Sequence, residues 1–174
     1  SVSAFLLNRS SDLAIDPLNQ IGKLFFDCED EINGYNTENV TVYGGDGNDH
    51  IRVYGTSNIV YGGKGNDRLS GDTNFVFNNG DGNDNIYSGF KNTKPTTLKF
   101  LDSALSDLTL EKYGTSLLIK YNDGQDSVNI RNYYTKLKDK EGCIIIDKDG
   151  NETPILDFIA NYGEIPVSTD TVIN

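Results

Sequence analysis

Gly44-Gly45-Asp46-Gly47-Asn48-Asp49, Gly62-Gly63-Lys64-Gly65-Asn66-Asp67 and Asn79-Gly80-Asp81-Gly82-Asn83-Asp84 form a spaced series. Their closing aspartates stand 18 and then 17 residues apart, and two places after each comes an apolar residue: Ile51, Leu69 and Ile86. Weaker copies lie between them, Asn58-Ile59-Val60 and Asn74-Phe75-Val76-Phe77, and a further one ending in Val40-Thr41-Val42-Tyr43 precedes them. Apolar anchors therefore recur about every nine residues, at Ile51, Val60, Leu69, Phe77 and Ile86.

A nine-residue beat leaves room for a turn of about six residues and a strand of about three. Gly and Asn crowd the period, which opposes helix. Two units close one coil of about 18 residues, with strands alternating between two stacked parallel sheets. One apolar residue per short strand is expected to point inward, giving a core of a single file. Such a file buries too little apolar surface to offset the entropy of ordering the coils. Something other than packing must hold them.

The strong turns fall one coil apart, so Asp49, Asp67 and Asp84 stack as a column along one edge. Unneutralised carboxylates there would repel, and a hard divalent cation taking six to eight oxygens would turn that repulsion into cross-links. The turns contain no His or Cys, so an all-oxygen ligand set favours Ca²⁺ over zinc or copper. Mg²⁺ fits less well, because it dehydrates reluctantly and demands a tighter octahedron.

The pattern Gly-Gly-x-Gly-x-Asp-x-apolar-x resembles the nonapeptide of the RTX family, the calcium-binding β-roll of bacterial toxins, adhesins and proteases exported by type I secretion. Residues 44–52 and 62–70 match it in every fixed position; residues 79–87 match except that Asn79 stands for the first glycine. The resemblance implies that each ion sits between two turns one coil apart, on two aspartates and four backbone carbonyls. One ion would lie among Gly44, Asp46, Asp49, Gly63, Gly65 and Asp67, and a second among Gly62, Lys64, Asp67, Gly80, Gly82 and Asp84. At least two ions are thus implied, with extra half-sites at the column's ends left open. Asp67 is shared, while Asp46 and Lys64 would contribute only backbone oxygen. The opposite edge, Val53-Tyr54-Gly55-Thr56-Ser57-Asn58, has no carboxylate, and Asp72 is out of register, so that edge is expected to be largely metal-free.

After the repeats, period-two alternation predicts strands from Leu98 to Leu101, Leu108 to Glu111, Ser116 to Tyr121, Ser127 to Asn132 and Gly142 to Ile146, with a hairpin turn at Asn122-Asp123-Gly124-Gln125. Thr153 is expected to cap a short helix over about 154–162 that starts with Pro154, buries Ile155, Leu156, Ile159 and Ala160, and ends at Gly163. This stretch is similar to the segment that closes RTX blocks: Phe77 to Ile86, then Ser106-Asp107-Leu108 and Leu117-Leu118-Ile119. The expected fold is all-β: a parallel β-roll over 35–91, an antiparallel capping region with a short helix over 92–174, and an unassigned N-terminal flank, 1–34.

The rest of the sequence narrows the function. There are 15 basic against 26 acidic residues, a net charge of −11, and a pI near 4.4. That balance disfavours nucleic acid and anionic membrane and favours cations. The longest apolar run, Cys143 to Ile146, is far too short to span a membrane. A chain that begins at Ser1 and lacks Met and a readable signal peptide reads as a piece of something longer. Cys28 and Cys143 are either buried apolar residues or one bridge across a long loop. Asp147-Lys148-Asp149-Gly150-Asn151 starts like an EF-hand loop, but Gly150 is fourth rather than sixth and Phe158 stands at the twelfth place, so a turn is expected. Asp16-Pro17 resembles the bond cut in some self-processing relatives, with a surface turn as the default. The only histidine, His50, occupies a variable repeat place, and no nucleophile elbow or phosphate loop appears, so an enzyme is not expected.

What the resemblance implies is a module that folds on calcium outside a Gram-negative cell, part of a larger type I secreted toxin or adhesin. Its partners would be calcium, the export machinery and a host surface protein or glycan. The competing reading is a ligand-binding adhesin module with Tyr54, Tyr61, Tyr133 and Tyr134 as a sugar platform. Ice binding is disfavoured, because the third turn place reads Asp46, Lys64 and Asp81 rather than Thr. Asp67→Ala is expected to abolish cooperative folding and Asp126→Ala to have almost no effect.

Overall fold

Short strands between glycine bends cannot bury a face alone; they must stack on one another. The computed structural model describes residues 13–15, 23–25, 28–87, 95–137 and 142–169. In chain order its strands are β1 (Leu13–Ile15), β2 (Lys23–Phe25), β3 (Glu31–Glu38), β4 (Thr41–Asp46), β5 (His50–Thr56), β6 (Ile59–Lys64), β7 (Arg68–Ser70) and β8 (Asn74–Phe77). There follow β9 (Asn83–Ile86), β10 (Thr96–Phe100), β11 (Thr109–Tyr113), β12 (Ser116–Tyr121), β13 (Asp126–Ile130), β14 (Cys143–Ile146), β15 (Glu152–Pro154) and the helix α1 (Ile155–Tyr162). One sheet has the order β1-β3-β5-β7-β9-β13-β12-β11, the other β15-β14-β10-β8-β6-β4-β2. This is the expected parallel roll. It also reaches into the N-terminal flank, where β1 pairs with β3 and β2 with β4, both parallel.

The register follows the apolar beat. Ile32, Ile51, Leu69, Ile86 and Ile130 stand in line through one sheet, and Val42, Val60, Phe75, Leu98 and Ile145 through the other. All ten are buried. Two expectations need correction. β5 turns both Ile51 and Val53 inward, so the core is wider than a single file where strands exceed three residues. The partner of Val60 is Phe75, not Phe77, because the coil shortens to 15 residues between β6 and β8. Phe77 instead lies opposite Phe100 and stacks on it, with Tyr121 edge-on to Phe100.

The predicted strands after the repeats all form, within two residues at each end. Their pairing is mixed. β11, β12 and β13 are antiparallel to one another, as are β14 and β15. β10, β13 and β14 instead continue the parallel stacking of the roll. The hairpin turn between β12 and β13 holds Asn122 and Asp123 in left-handed backbone, φ 52° and 54°, a conformation Asn and Asp tolerate. Pro154 is the N-cap of α1 rather than its first residue, with no side-chain cap from Thr153. The helix buries Ile155 and Phe158; Leu156 and Ile159 are half-buried against the core, and Ala160 is exposed.

These last elements blunt the sheet edges that an open roll would present to other chains. Pro166 and Ser168 pair with the outer edge of β11, through Lys112 N–H to the Pro166 carbonyl at 2.8 Å and Ser168 N–H to the Lys112 carbonyl at 2.9 Å. At the other sheet the edge strand β15 is three residues long, ends in Pro154 and turns directly into α1. Among the described residues no helix is long and apolar enough to cross a membrane.

Because Ile51 is fully buried between ladder neighbours Ile32 and Leu69, Ile51→Ala should cost about 2–5 kcal/mol in calcium-saturated urea unfolding. Val167→Ala, at a side chain 72% exposed, should stay within about 0.5 kcal/mol.

Candidate metal centre

Stacking in register places the three strong turns over one another: Gly45 opposite Gly63, Asp46 opposite Lys64, and Gly65 bridged to Gly82. Only glycine permits the approach. Gly65 has φ 141°, and a Cβ on it would collide with the Gly47 carbonyl oxygen. Two side-chain ladders run through the stack. At the fifth place, Asn48 Oδ1 accepts from Asn66 N–H at 2.7 Å and Asn66 Oδ1 from Asn83 N–H at 3.0 Å. At the sixth, the direction reverses: Asp67 Oδ1 accepts from Asp49 N–H at 2.8 Å, and Asp84 Oδ1 from Asp67 N–H at 2.9 Å. The Asn ladder escaped the sequence reading, which treated the fifth place as free.

The aspartates are therefore positioned by only one oxygen each. Asp49, Asp67 and Asp84 are 1%, 0% and 1% exposed, and the second oxygen of each, Oδ2, is buried with no hydrogen-bond partner. Among the described residues none of the ion pairs reaches them. Burial pushes Asp49 up to about 6, and the neighbouring charges of Asp30 and Glu29 add to it against the Asp30 amide. Burial likewise lifts Asp67 to about 7, aided by Asp49 and Asp81. Asp84 is raised well above the carboxylate range, by burial first and then by Asp67. A buried carboxylate oxygen left bare costs more than any hydrogen bond returns, so the arrangement calls for a cation.

The donor set fits Ca²⁺. Hard carboxylate oxygens converge beside backbone carbonyls, and a Cβ at Gly44 would strike both Asp49 Oδ2 and the Gly62 carbonyl oxygen. At Gly62 a Cβ would strike Asp67 Oδ2. Among the described residues no three acidic, His or Cys side chains converge on one point, so such sites depend on the main chain. The side chains of Asp46 and Lys64 point outward, 69% and 71% exposed, and pair at 3.4 Å. The Lys64 carbonyl accepts from Gly47 N–H at 2.8 Å, and the Asp81 carbonyl from Gly65 N–H at 2.8 Å. Gly80 and Gly82 lie in the third turn, their amides donating to Asp126.

Asp126 corrects an expectation. It is 4% exposed, and its carboxylate accepts from Gly80 N–H at 2.7 Å, Gly82 N–H at 3.2 Å and Asn122 Nδ2 at 2.6 Å. In the earlier turns the amide of the fourth place reaches a carbonyl of the next coil; here that coil is missing and Asp126 replaces it. Asp126→Ala would strip the last turn of its acceptor and is not neutral. No sequence spacing links Asp126 to Gly80, which lies 46 residues away.

Asp30 was also missed. Glu31 stands opposite His50, so Asp30 precedes it as Asp49 precedes His50, and Asp30 N–H donates to Asp49 Oδ1 at 2.9 Å. The signal was present in Asp30-Glu31-Ile32, which repeats Asp49-His50-Ile51, but its turn has no glycine. On the opposite edge, Asn58 does the work with neutral groups: Oδ1 accepts from Val40 N–H at 3.1 Å, and Nδ2 donates to Thr37 Oγ1 at 2.9 Å.

The remaining motifs resolve simply. Asp147 closes a turn on itself, accepting from the Asp149 and Asn151 amides at 3.0 and 2.9 Å. Cys143 is buried, and neither cysteine is bridged. Tyr133 is 3% exposed and cannot join a sugar platform, whereas Tyr54 stacks on Tyr35 and Tyr61 on Tyr43. Asp16-Pro17 lies outside the described residues.

Comparison with known proteins agrees with this geometry. Residues 36–55 and 43–74 match the RTX calcium-binding nonapeptide repeat. The chain is 38% identical over 63 residues to the cytolysin RtxA of Kingella kingae, a stretch covering 36% of this chain and 6% of that protein.

Two measurements follow from the site. In the metal-free fold the carboxyls of Asp49 and Asp67 titrate near 6 and 7, above their ordinary 3.8, so the folded chain holds more protons than the unfolded one between these values. Their contribution to metal-free stability is full below about pH 4 and is lost as pH rises through 6 to 7. Calcium must displace those protons, so its binding should release protons at pH 6 and tighten from pH 5 to 8, as read by titration in weakly buffered solution. Asp126→Ala should destabilise the calcium-loaded chain by roughly 2–4 kcal/mol in urea unfolding, through lost charge-assisted hydrogen bonds.

Proposed function

We propose that this chain, a member of the RTX family of calcium-binding repeat proteins, is a module that folds when it meets calcium outside the cell. It would form part of a larger toxin or adhesin exported by type I secretion from a Gram-negative bacterium. The observation that carries this reading is the column of Asp49, Asp67 and Asp84, each buried with one carboxylate oxygen unsatisfied. Calcium bound there would join adjacent coils through those carboxylates and the carbonyls of the turns at Gly44, Asp46, Gly62, Gly63, Lys64, Gly65, Gly80 and Gly82. Each ion would neutralise the repulsion that raises these carboxyls and give the unpaired oxygens a partner.

The energetics suit a switch set by location. Extracellular calcium modules bind at about 10⁻⁴–10⁻³ M, so such sites stand empty in a cytosol and fill outside. Without the ion, a net charge of −11 and bare buried carboxylates oppose folding, which keeps a chain exportable. With it, every site held at ten times its dissociation constant adds about 1.4 kcal/mol, and sites that share an aspartate add jointly. Folding after emergence would also hinder return through the exporter.

The competing adhesin reading is supported by the two stacked tyrosine pairs, Tyr35–Tyr54 and Tyr43–Tyr61, with ring centroids 5.6 and 4.5 Å apart. A glycan array with and without calcium tests it: calcium-dependent glycan capture lost in Tyr54→Ala would favour that reading.

Circular dichroism should show a cooperative transition between excess chelator and millimolar calcium; an identical folded signal in both would sink the proposal. Asp67→Ala, which removes a carboxylate common to both motif sites, should move the calcium midpoint by more than about tenfold or abolish the transition. Glu164→Ala, at an exposed residue far along the chain, should leave the midpoint within about twofold.

A further inference from the structure

We infer that Tyr121, in the capping region, is a positioning residue for the end of the aspartate column: through one water its hydroxyl donates to the Asp84 carboxylate, supplying the partner that the last turn of the roll lacks. This rests on the calcium-folding reading and adds to it a residue outside the glycine motif. Three column oxygens are buried without a hydrogen-bond partner, Asp49 Oδ2, Asp67 Oδ2 and Asp84 Oδ2. In each of these carboxylates Oδ1 reaches back to the amide one coil earlier, that of Asp30, Asp49 or Asp67. The other oxygen lies toward its own turn and the one that follows: Asp49 Oδ2 is beside Gly44, next to the Gly62 carbonyl, and Asp67 Oδ2 is beside Gly62. The two ions of the motif would meet those two oxygens. After Asp84 the sequence has no further glycine turn, and the neighbour of Asp84 in the next strand is Val128. The third oxygen is therefore left to the capping region.

The sheet brings one group to that place. Ladder pairing sets Asp84 opposite Val128 in β13, Val128 opposite Ile119 in β12, and Asp126 opposite Tyr121. Side chains two apart on a strand share a face, so Asp84, Asp126 and Tyr121 stand on the inner face at one end of the sheet. Asp126 is already taken by the amides of Gly80 and Gly82 and by Asn122. Tyr121 is 1% exposed, with its ring edge-on to Phe100 at 5.2 Å between centroids, and its hydroxyl is buried without a hydrogen-bond partner. Burial keeps that hydroxyl protonated, far above the ordinary tyrosine range, and the charges that reach it are those of Asp84 first, then Asp81, Asp126 and Asp67. An orphaned donor thus shares one interior with an orphaned acceptor. A water between them satisfies both, and a polar interior of this kind holds one. Phenylalanine would fill the same aromatic cluster, so packing accounts for the ring but not for the hydroxyl.

Calcium titration followed by circular dichroism tests the assignment with Tyr121→Phe, which keeps the ring and removes only the hydroxyl. A buried hydroxyl with no task destabilises the fold, so its loss would leave the calcium midpoint unchanged or lower it. A hydroxyl that serves Asp84 stabilises the calcium-loaded fold, so Tyr121→Phe should raise the midpoint about threefold or more. Tyr133→Phe, at a buried tyrosine packed on Tyr134, should move it by less than about 1.5-fold. In an Asp84→Asn background the effect of Tyr121→Phe should fall to less than about half, because the acceptor is gone. An unchanged or lower midpoint in Tyr121→Phe, an equal rise in Tyr133→Phe, or an undiminished effect beside Asn at position 84 would overturn the inference and leave the folding-module reading standing. A wild type without any calcium-dependent transition would remove both. Should the Asp84→Asn chain not fold in calcium, the comparison of Tyr121→Phe with Tyr133→Phe decides. A Tyr121→Phe chain that stays unfolded in saturating calcium while Tyr133→Phe folds is the expected shift at its extreme.

Discussion

Three carboxylates that cannot reach water and have only half their oxygens satisfied govern this structure. Asp49, Asp67 and Asp84 are buried in a column, where Asp49 raises the proton affinity of Asp67 and Asp67 that of Asp84. A protein interior tolerates such groups only when they are protonated, paired or bound to metal. Among the described residues the cationic side chains of the repeats pair elsewhere, Lys64 with Asp46 and Arg52 with Glu31, so a bound cation is what would satisfy the column.

The scaffold that holds the column is made of polar ladders rather than of a large core. The Asn48-Asn66-Asn83 ladder passes hydrogen bonds in one direction and the aspartate ladder passes them in the other. Together they fix both the separation and the register of adjacent turns, which a bare glycine loop would leave loose. The apolar lines through Ile51 and Val60 contribute burial along the middle of each coil. They cannot by themselves distinguish one stacking register from the next, whereas the ladders can.

Where the repeats stop, the chain substitutes other groups for the missing coil. Asp126 takes the amides of Gly80 and Gly82, Ser127 Oγ donates to Asn83 Oδ1 at 2.7 Å, and Asn129 Nδ2 to Asn85 Oδ1 at 3.1 Å. β13 thus imitates one strand of a further coil before β12 and β11 turn antiparallel and the 166–168 segment covers the last edge. The roll ends by degrees, each layer less repeat-like than the one before.

The repeat period was readable directly, because a nine-residue beat with glycine and aspartate at fixed places has one economical solution, stacked coils with the acids on one edge. Most strand positions, the hairpin at Asn122 to Gln125 and the helix ending at Gly163 were legible for the same reason: each is written in local residue types. The shift from Phe77 to Phe75 opposite Val60 was not, since register depends on how many residues a bend absorbs. Asp30 and Asp126 were hidden more deeply. One lies in a turn without glycine, and the other acts across 46 residues of chain. Their roles exist only once stacking brings distant amides and carboxylates together, and spacing along a chain carries no record of that approach.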